Sequence, residues 1–156
     1  MLDPELVRFL QGPVMILMAS RTAEGRPAIA RVLGCRVQDD GDLHVQVGAR
    51  QWAEALGGLA PGDTVALTFV RPSDYRAVQV KGPLLSRMPG DAAADARATA
   101  YRSAMGAELL RLGILQPQID QWVDLEPLAA LHMRPSVVFD QTPGDGAGQV
   151  LARPDA

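Results

Sequence analysis

The sequence predicts a mainly β chain with some helix (α+β), its strands antiparallel and closing into a small barrel, with a helical insert before the last strand. Strand-length apolar segments follow one another with short turns and one short helix between them. The hydrophobic period changes to helical spacing beyond Pro89-Gly90. Helices do not alternate with strands, which disfavours a parallel sheet.

Each element has a local cause. Asp3-Pro4 is an N-cap followed by a first-turn proline, so a short helix starts there and ends at Gly12-Pro13. Val14 to Arg21 is an apolar run of strand length, and AEGRP (Ala23 to Pro27) is a turn. AIARVLGCRV, Ala28 to Val37, is a strand. Strict alternation puts Ile29, Arg31, Leu33, Cys35 and Val37 on its greasier face, with Ala28, Ala30, Val32, Gly34 and Arg36 opposite. QDDGD carries an Asp-Gly hairpin signal, and Leu43, Val45 and Val47 then alternate with His44 and Gln46. Arg50 to Leu56 reads as a short helix closed by Gly57-Gly58.

Thr64 to Val70 is a strand opened by the Pro61-Gly62-Asp63 turn, and Tyr75 to Leu85 is a longer one. Asp91 caps a helix to about Leu112, whose inward stripe is Ala94, Ala98, Tyr101, Met105, Leu109 and Leu112. Gln116 to Val123 reads as a second helix with Ile119, Trp122 and Val123 turned inward. Leu128 to Asp140 returns to strand alternation, interrupted at Pro135. Residues 1–140 read as one domain and residues 141–156 as a turn-rich tail that packs little core.

A chain of 156 residues is long enough for one domain with a real core. Aromatics are 4% of it, so that core is aliphatic. A net charge of -3 gives no reason to expect nucleic acid or an anionic membrane as partner. The single cysteine, Cys35, leaves no internal disulfide and no cysteine cluster for metal. MLDPELVRFL lacks the basic start and apolar run of a signal peptide, and no segment is apolar enough to span a bilayer. A cytoplasmic location is the expectation.

Chemistry-bearing residues are sparse. His44 and His132 stand at no metal-site spacing, and no serine lies in a nucleophile elbow. Cys35 reads as a structural thiol. No protein-side catalytic group stands out, so any reaction draws on a bound cofactor. Arg31 on an apolar strand face needs an ion pair, a route to water at a barrel rim, or an anionic ligand. Arg50, just past Gly48, is either a solvated first-turn residue or part of a phosphate site. Gln46, Gln79 and Lys81 are polar members of strand faces, turned either to water or to the same cleft.

Taken in order, PAIARVLGCRV, LHVQVGARQWA, DTVALTF and DYRAVQVKGPL resemble the pyridoxamine 5′-phosphate oxidase-like, FMN-binding split-barrel family over about residues 14–88. The resemblance implies an antiparallel split β-barrel that forms a homodimer with FMN at the subunit interface. It implies that Arg31, Val32 and Leu33 lie on the strand running along the flavin and offer it backbone groups. Arg36 falls where the oxidases carry a cofactor-contacting lysine. Gly48-Ala49-Arg50-Gln51 resembles their phosphate-binding turn, with Gln51 in place of a lysine; a further arginine would make up that charge. Gln79 stands two places beyond the matching glutamine position, with Lys81 and Gln46 bordering the cleft. MRPSVVFDQTP does not reproduce the family's pyridoxal-gripping segment, so the substrate differs or is absent.

The implied activity is that of an FMN-dependent oxidoreductase with an unidentified small-molecule substrate or electron donor such as NAD(P)H. A non-enzymatic flavin carrier or sensor, a deazaflavin protein, and a haem-handling split barrel using His44 or His132 are the alternatives. The tail FDQTPGDGAG either folds over the cofactor cleft or is a solvated terminus.

Overall fold

The computed structural model describes residues 2–122 and 127–154. Helix α1 (Pro4–Leu10) starts as expected: the Asp3 carboxylate accepts the Glu5 N–H at 2.7 Å, and Leu6, Phe9 and Leu10 are buried. Strands β1 (Met15–Arg21), β2 (Pro27–Val37) and β3 (Leu43–Gly48) follow, then helix α2 (Ala53–Gly57) and strands β4 (Thr64–Val70) and β5 (Ala77–Pro89). The insert is α3 (Ala92–Arg111) and α4 (Gln116–Trp122), and β6 (Leu128–Met133), β7 (Val137–Asp140) and β8 (Val150–Ala152) complete the chain.

All pairings are antiparallel, and the neighbours run β1-β2-β3-β6-β5-β4 and back to β1. This is a closed six-strand barrel with β7 and β8 added outside the ring, an α+β fold.

The length of β5 makes the barrel split. Residues 77–83 pair with β4, while Leu84 to Pro89 pair with β6 across an irregular register. The edge beside Val78–Lys81 is taken by β7. Leu128 to Asp140 is therefore two strands on different parts of β5, and the chain between them crosses directly over Gly82. A Cβ at position 82 would lie 1.8 Å from the Arg134 carbonyl oxygen. In the tail, β8 pairs with β7, and Ala152 packs against the core.

The core is aliphatic. Ile16, Met18, Val32, Leu43, Val45, Leu67, Val80 and Met133 are all nearly inaccessible to solvent, with Phe69 the largest ring among them. The break in alternation that bears on the site is in β2. There the ladder to β3 skips from Val32 to Cys35, and Gly34 adopts φ +103. A β-bulge adds a residue and reverses the face assignment. Before the bulge Ala28, Ala30 and Val32 point inward; after it Cys35 and Val37 pack against the core. The predicted greasy face of Ile29, Arg31, Leu33, Cys35 and Val37 is thus two half-faces. Arg31 projects outward, not into the barrel.

At Gly34 helix α3 lies against β2. A Cβ there would lie 3.1 Å from the Tyr101 Cβ, and the Tyr101 hydroxyl donates to the Val14 carbonyl at 2.8 Å. Asp91 caps α3 through the Ala94 N–H at 2.8 Å, and Ala94, Ala98, Met105 and Leu109 are buried beneath it. Leu112, expected inward, is 44% exposed because it is already the C-cap. Ile119 is buried; Val123 and the Trp122 side chain lie outside the described residues.

Gly34→Ala combines a positive φ with a clash against a helix. It should lower the unfolding free energy by about 1–3 kcal/mol, read as a shifted urea midpoint. An unchanged midpoint would mean that the bulge tolerates a side chain.

Candidate functional site

Helices α3 and α4 cover part of the barrel wall and leave another part bare. The bare part is built by strand register. Arg31 of β2 stands opposite Leu17 of β1, Leu17 opposite Thr68 of β4, and Thr68 opposite Gln79 of β5. One row along, Ile29 stands opposite Ala19, Ala19 opposite Ala66, and Ala66 opposite Lys81. Opposed residues in a ladder share a face, so these eight side chains pave one outward surface. Three of the four residues in its middle are small or short, Ala19, Ala66 and Thr68, and the fourth is Leu17. The Gln79 amide donates to the Thr68 hydroxyl at 3.0 Å. Lys81 Nζ lies 5.2 Å from the centre of the Phe139 ring, which continues the surface onto β7. Leu17 and Ile29 are 39% and 61% exposed on it.

The structure therefore brings Arg31, Gln79 and Lys81 to one face, although they are far apart in sequence. It does not bring all the sequence candidates there. Val32 turns its side chain into the core, and Leu33 packs with Ala94, Ala98 and Leu128 under α3. Gln46 is fully buried on the outward side of β3, beside Gly34. Arg36 lies beyond the bulge, opposite His44 and exposed. Arg50 and Gln51 sit in the turn between β3 and α2, not on a helix: α2 starts at Ala53, and its N-cap Trp52 makes no side-chain cap bond.

Beside Arg31, the wall of β1 meets α3 in a narrow cleft lined by Met15, Leu17, Tyr101, Met105 and Leu109. A larger groove of about 570 Å³ runs between α2 and the ends of β5 and β6, with Arg87 at its edge donating to the Leu56 carbonyl.

A polar cluster that the sequence did not reveal lies at the other end of β3. The Asp42 carboxylate is buried, at 2% exposure. It accepts two hydrogen bonds from Arg134, each 3.1 Å, and lies 2.9 Å from His132 Nε2. Burial pushes its pKa up, but the hydrogen bonds and charges of Arg134 and His132 outweigh that and hold it below the usual 3.8. His44 contacts His132 edge to face, with ring centres 4.3 Å apart. Burial, then the charges of His132 and Arg97, hold the His44 pKa below 6.5, against the opposing pull of Asp40 and Asp42. Along the sequence Asp42 is only a hairpin residue, because its partners are 90 and 92 positions away. Cys35 is half-buried as a residue, yet its thiol is enclosed enough for burial to push the pKa up to about 12; it is not poised as a nucleophile. Among the described residues no group of three or more His, Cys, Asp or Glu could hold a metal ion, and no helix is long and apolar enough to cross a membrane.

The sequence matches no protein-family model and no curated protein. Solved structures share its fold. HupZ from Group A Streptococcus superposes with a TM-score of 0.57 at 15% identity, over 96% of this chain and 99% of that one. An F420 reductase gives 0.53 at 16% identity, covering 87% and 98%. HutZ, a haem storage protein from Vibrio cholerae, gives 0.50 at 17% identity, covering 89% and 94%. The chain has the split-barrel fold.

The Asp42 cluster has a pH signature. Its folded pKa lies below the unfolded one, so its contribution is complete above about pH 4 and is lost as pH falls through the folded value. Asp42→Asn should cost about 1–3 kcal/mol at pH 7. In urea titrations at pH 7 and at pH 3, the gap between the variant and the parent should narrow at the lower pH. A constant gap would separate Asp42 from the acid sensitivity of the fold.

Proposed function

We propose that the chain binds FMN on the bare outward face of β2, β1, β4 and β5 and works as a flavin-dependent oxidoreductase, as a homodimer that closes over that face. The observation that carries this reading is the registered surface itself. A short-side-chain floor of Ala19, Ala66 and Thr68 lies between Arg31 on one side and Gln79 and Lys81 on the other. A planar ring system rests on this short floor beside Leu17, the one bulky residue between the two margins. Cationic and amide donors at its margins suit a ligand that carries a phosphate and hydrogen-bonding ring edges.

Each part then has a role. Arg31 and Lys81 supply positive charge, and Gln79 supplies an amide that the Thr68 hydroxyl holds in one orientation. Arg50 and Gln51, in the turn between β3 and α2, are assigned to the phosphate end. Val32 and Leu33 take part only through backbone, because their side chains are committed to the core and to α3. FMN, when bound, supplies two-electron redox chemistry. The exposed Leu17 and Ile29 are the apolar surface that a second copy covers.

The competing ligands are those of proteins with this fold, a deazaflavin and haem. Haem is the weaker candidate: His44 and His132 meet ring to ring, and His132 Nε2 already faces Asp42.

Four measurements test the reading. The purified protein should take up FMN in preference to F420 or haem, seen by absorption and by mass spectrometry of the extracted ligand; uptake of haem alone would overturn it. Gln79→Ala and Lys81→Ala should each weaken FMN binding by about tenfold, the loss expected for one charge-assisted or oriented hydrogen bond. Ile29→Glu should shift a dimer to a monomer in sedimentation and lower FMN affinity with it. Turnover with NAD(P)H and an acceptor separates an enzyme from a carrier.

A further inference from the structure

The hairpin between β4 and β5 and the tail after β7 build a small pocket at the margin of the bare face. Val70 stands opposite Ala77 and Thr68 opposite Gln79, so these four side chains share one surface. The tail forms a wall beside them. The Ala77 N–H donates to the Thr142 hydroxyl at 3.1 Å, the Gln141 N–H to the Ala77 carbonyl at 2.8 Å, and the Thr142 N–H to the Asp140 carboxylate at 2.7 Å. These bonds set Gln141 and Pro143 against the start of β5. Tyr75, on the hairpin, is the opposite wall. The space between the walls is about 310 Å³, at the lower end of the range for small-molecule sites.

Tyr75 is held in a conformation that a bulky side chain does not favour. Its φ is 59, and among the described residues no other non-glycine residue has a positive φ. The hairpin keeps it there. The Tyr75 N–H donates to the Arg71 carbonyl at 2.9 Å, the Arg71 guanidinium pairs with Asp74, and the Asp74 carboxylate accepts the Arg76 N–H at 3.1 Å. Asparagine or glycine takes such a turn position with less strain. Burial does not offset the strain, since Tyr75 is 68% exposed and joins no hydrophobic cluster. Strain of this kind gathers at ligand sites. The lining gives the ligand's class. Every side chain in it is uncharged: a hydroxyl, the two amides of Gln79 and Gln141, and apolar surface. The hairpin's charges are engaged elsewhere, Arg71 with Asp74, and Arg76 with Glu5 and the Phe9 ring.

We propose that this pocket binds an uncharged planar heteroaromatic ring with a carboxamide edge, the ring on Tyr75 and the edge toward the amides of Gln79 and Gln141. Tyr75 offers a flat apolar face, and an amide pairs with an amide as both donor and acceptor. A lining without a cation disfavours an anion. Nicotinamide has this chemistry. Its role as the ring of an electron donor beside the flavin rests on the flavin reading. The ring site itself does not, because its walls, Tyr75, Gln141 and Pro143, have no part in that reading.

The chain has two tyrosines, and the Tyr101 hydroxyl is bonded to the Val14 carbonyl under α3, so tyrosine-selective labelling gives Tyr75 its own ring signal in NMR. Protein without FMN is titrated with nicotinamide, with nicotinate, which adds a charge, and with cyclohexanecarboxamide, which lacks the aromatic ring. Nicotinamide should shift the Tyr75 signal to saturation and leave Tyr101 unmoved, and the other two should bind at least fivefold more weakly. Followed by the ligand's own signals, Tyr75→Ala should weaken nicotinamide binding about fivefold, the worth of one aromatic pair, and Tyr75→Phe should keep it. Tyr75→Asn should raise the urea midpoint, because asparagine adopts the turn with less strain; a lower midpoint would make Tyr75 a structural residue and overturn the site. An unshifted Tyr75 signal, equal binding of the three compounds, or a signal that follows protein concentration instead of nicotinamide would overturn it too, the last by assigning Tyr75 to contact between copies. With FMN added, nicotinamide affinity should hold or rise; competition would make the pocket part of the flavin site and end the proposal. If FMN does not bind, the flavin reading falls and the titrations without it are unaffected.

Discussion

The bulge at Leu33–Gly34 is the constraint on which the rest of this molecule turns. It exists because Gly34 takes a positive φ that other residues reach only with strain, and because α3 crosses the barrel there with Tyr101 against the bare Cα. One added residue reverses which side chains of β2 meet the core. Before it, the strand gives Ala30 and Val32 to the interior and Ile29 and Arg31 to the outside; after it, Cys35 and Val37 turn inward and Arg36 turns out. A strand without the bulge would turn Arg36 toward the core, where a charge is costly unless it is paired.

The same crossing divides the outer wall. On the side of Met105 and Leu109, Arg31 borders the bare surface that runs through β1 and β4 to Gln79 and Lys81 on β5. On the side of Ala94 and Arg97, the wall carries Arg36, His44, His132 and the buried Asp42. The chain thus offers two polar regions of different character. One is open and floored with short side chains. The other is half covered and crowded with like charge, held together by a carboxylate that three N–H groups satisfy. The length of β5 matters to both: its first half carries Gln79 and Lys81, and its second half carries β6 and so positions His132.

Much of this was legible along the chain. Asp3, Asp91 and the Asp-Gly hairpin fixed element starts through local hydrogen bonding, which depends on neighbours a few residues away. The range of β4 follows from the chain alone, because seven residues of strict alternation between two turns leave no other register. Gln79 and Lys81 were legible as polar members of a strand, and Arg31 as a charge needing an explanation. Asp42 was not legible as a buried charge, since a hairpin aspartate is ordinarily solvated and its partners lie across the sheet. Nor was the placement of Gln46: a polar residue alternating with valines faces water unless something covers it, and here α3 covers it.

Sequence by itself determined the order and type of the elements, the aliphatic core and the family resemblance, because caps, turns and hydrophobic period act over a few residues. Tertiary structure alone decided which polar residues share a surface, because that follows from strand order, one bulge and the path of α3. Arg31, Gln79 and Lys81 lie on one face only because β1 and β4 stand between β2 and β5 in the closed ring. Ring order is set by packing between distant segments, and no local pattern in the chain encodes it.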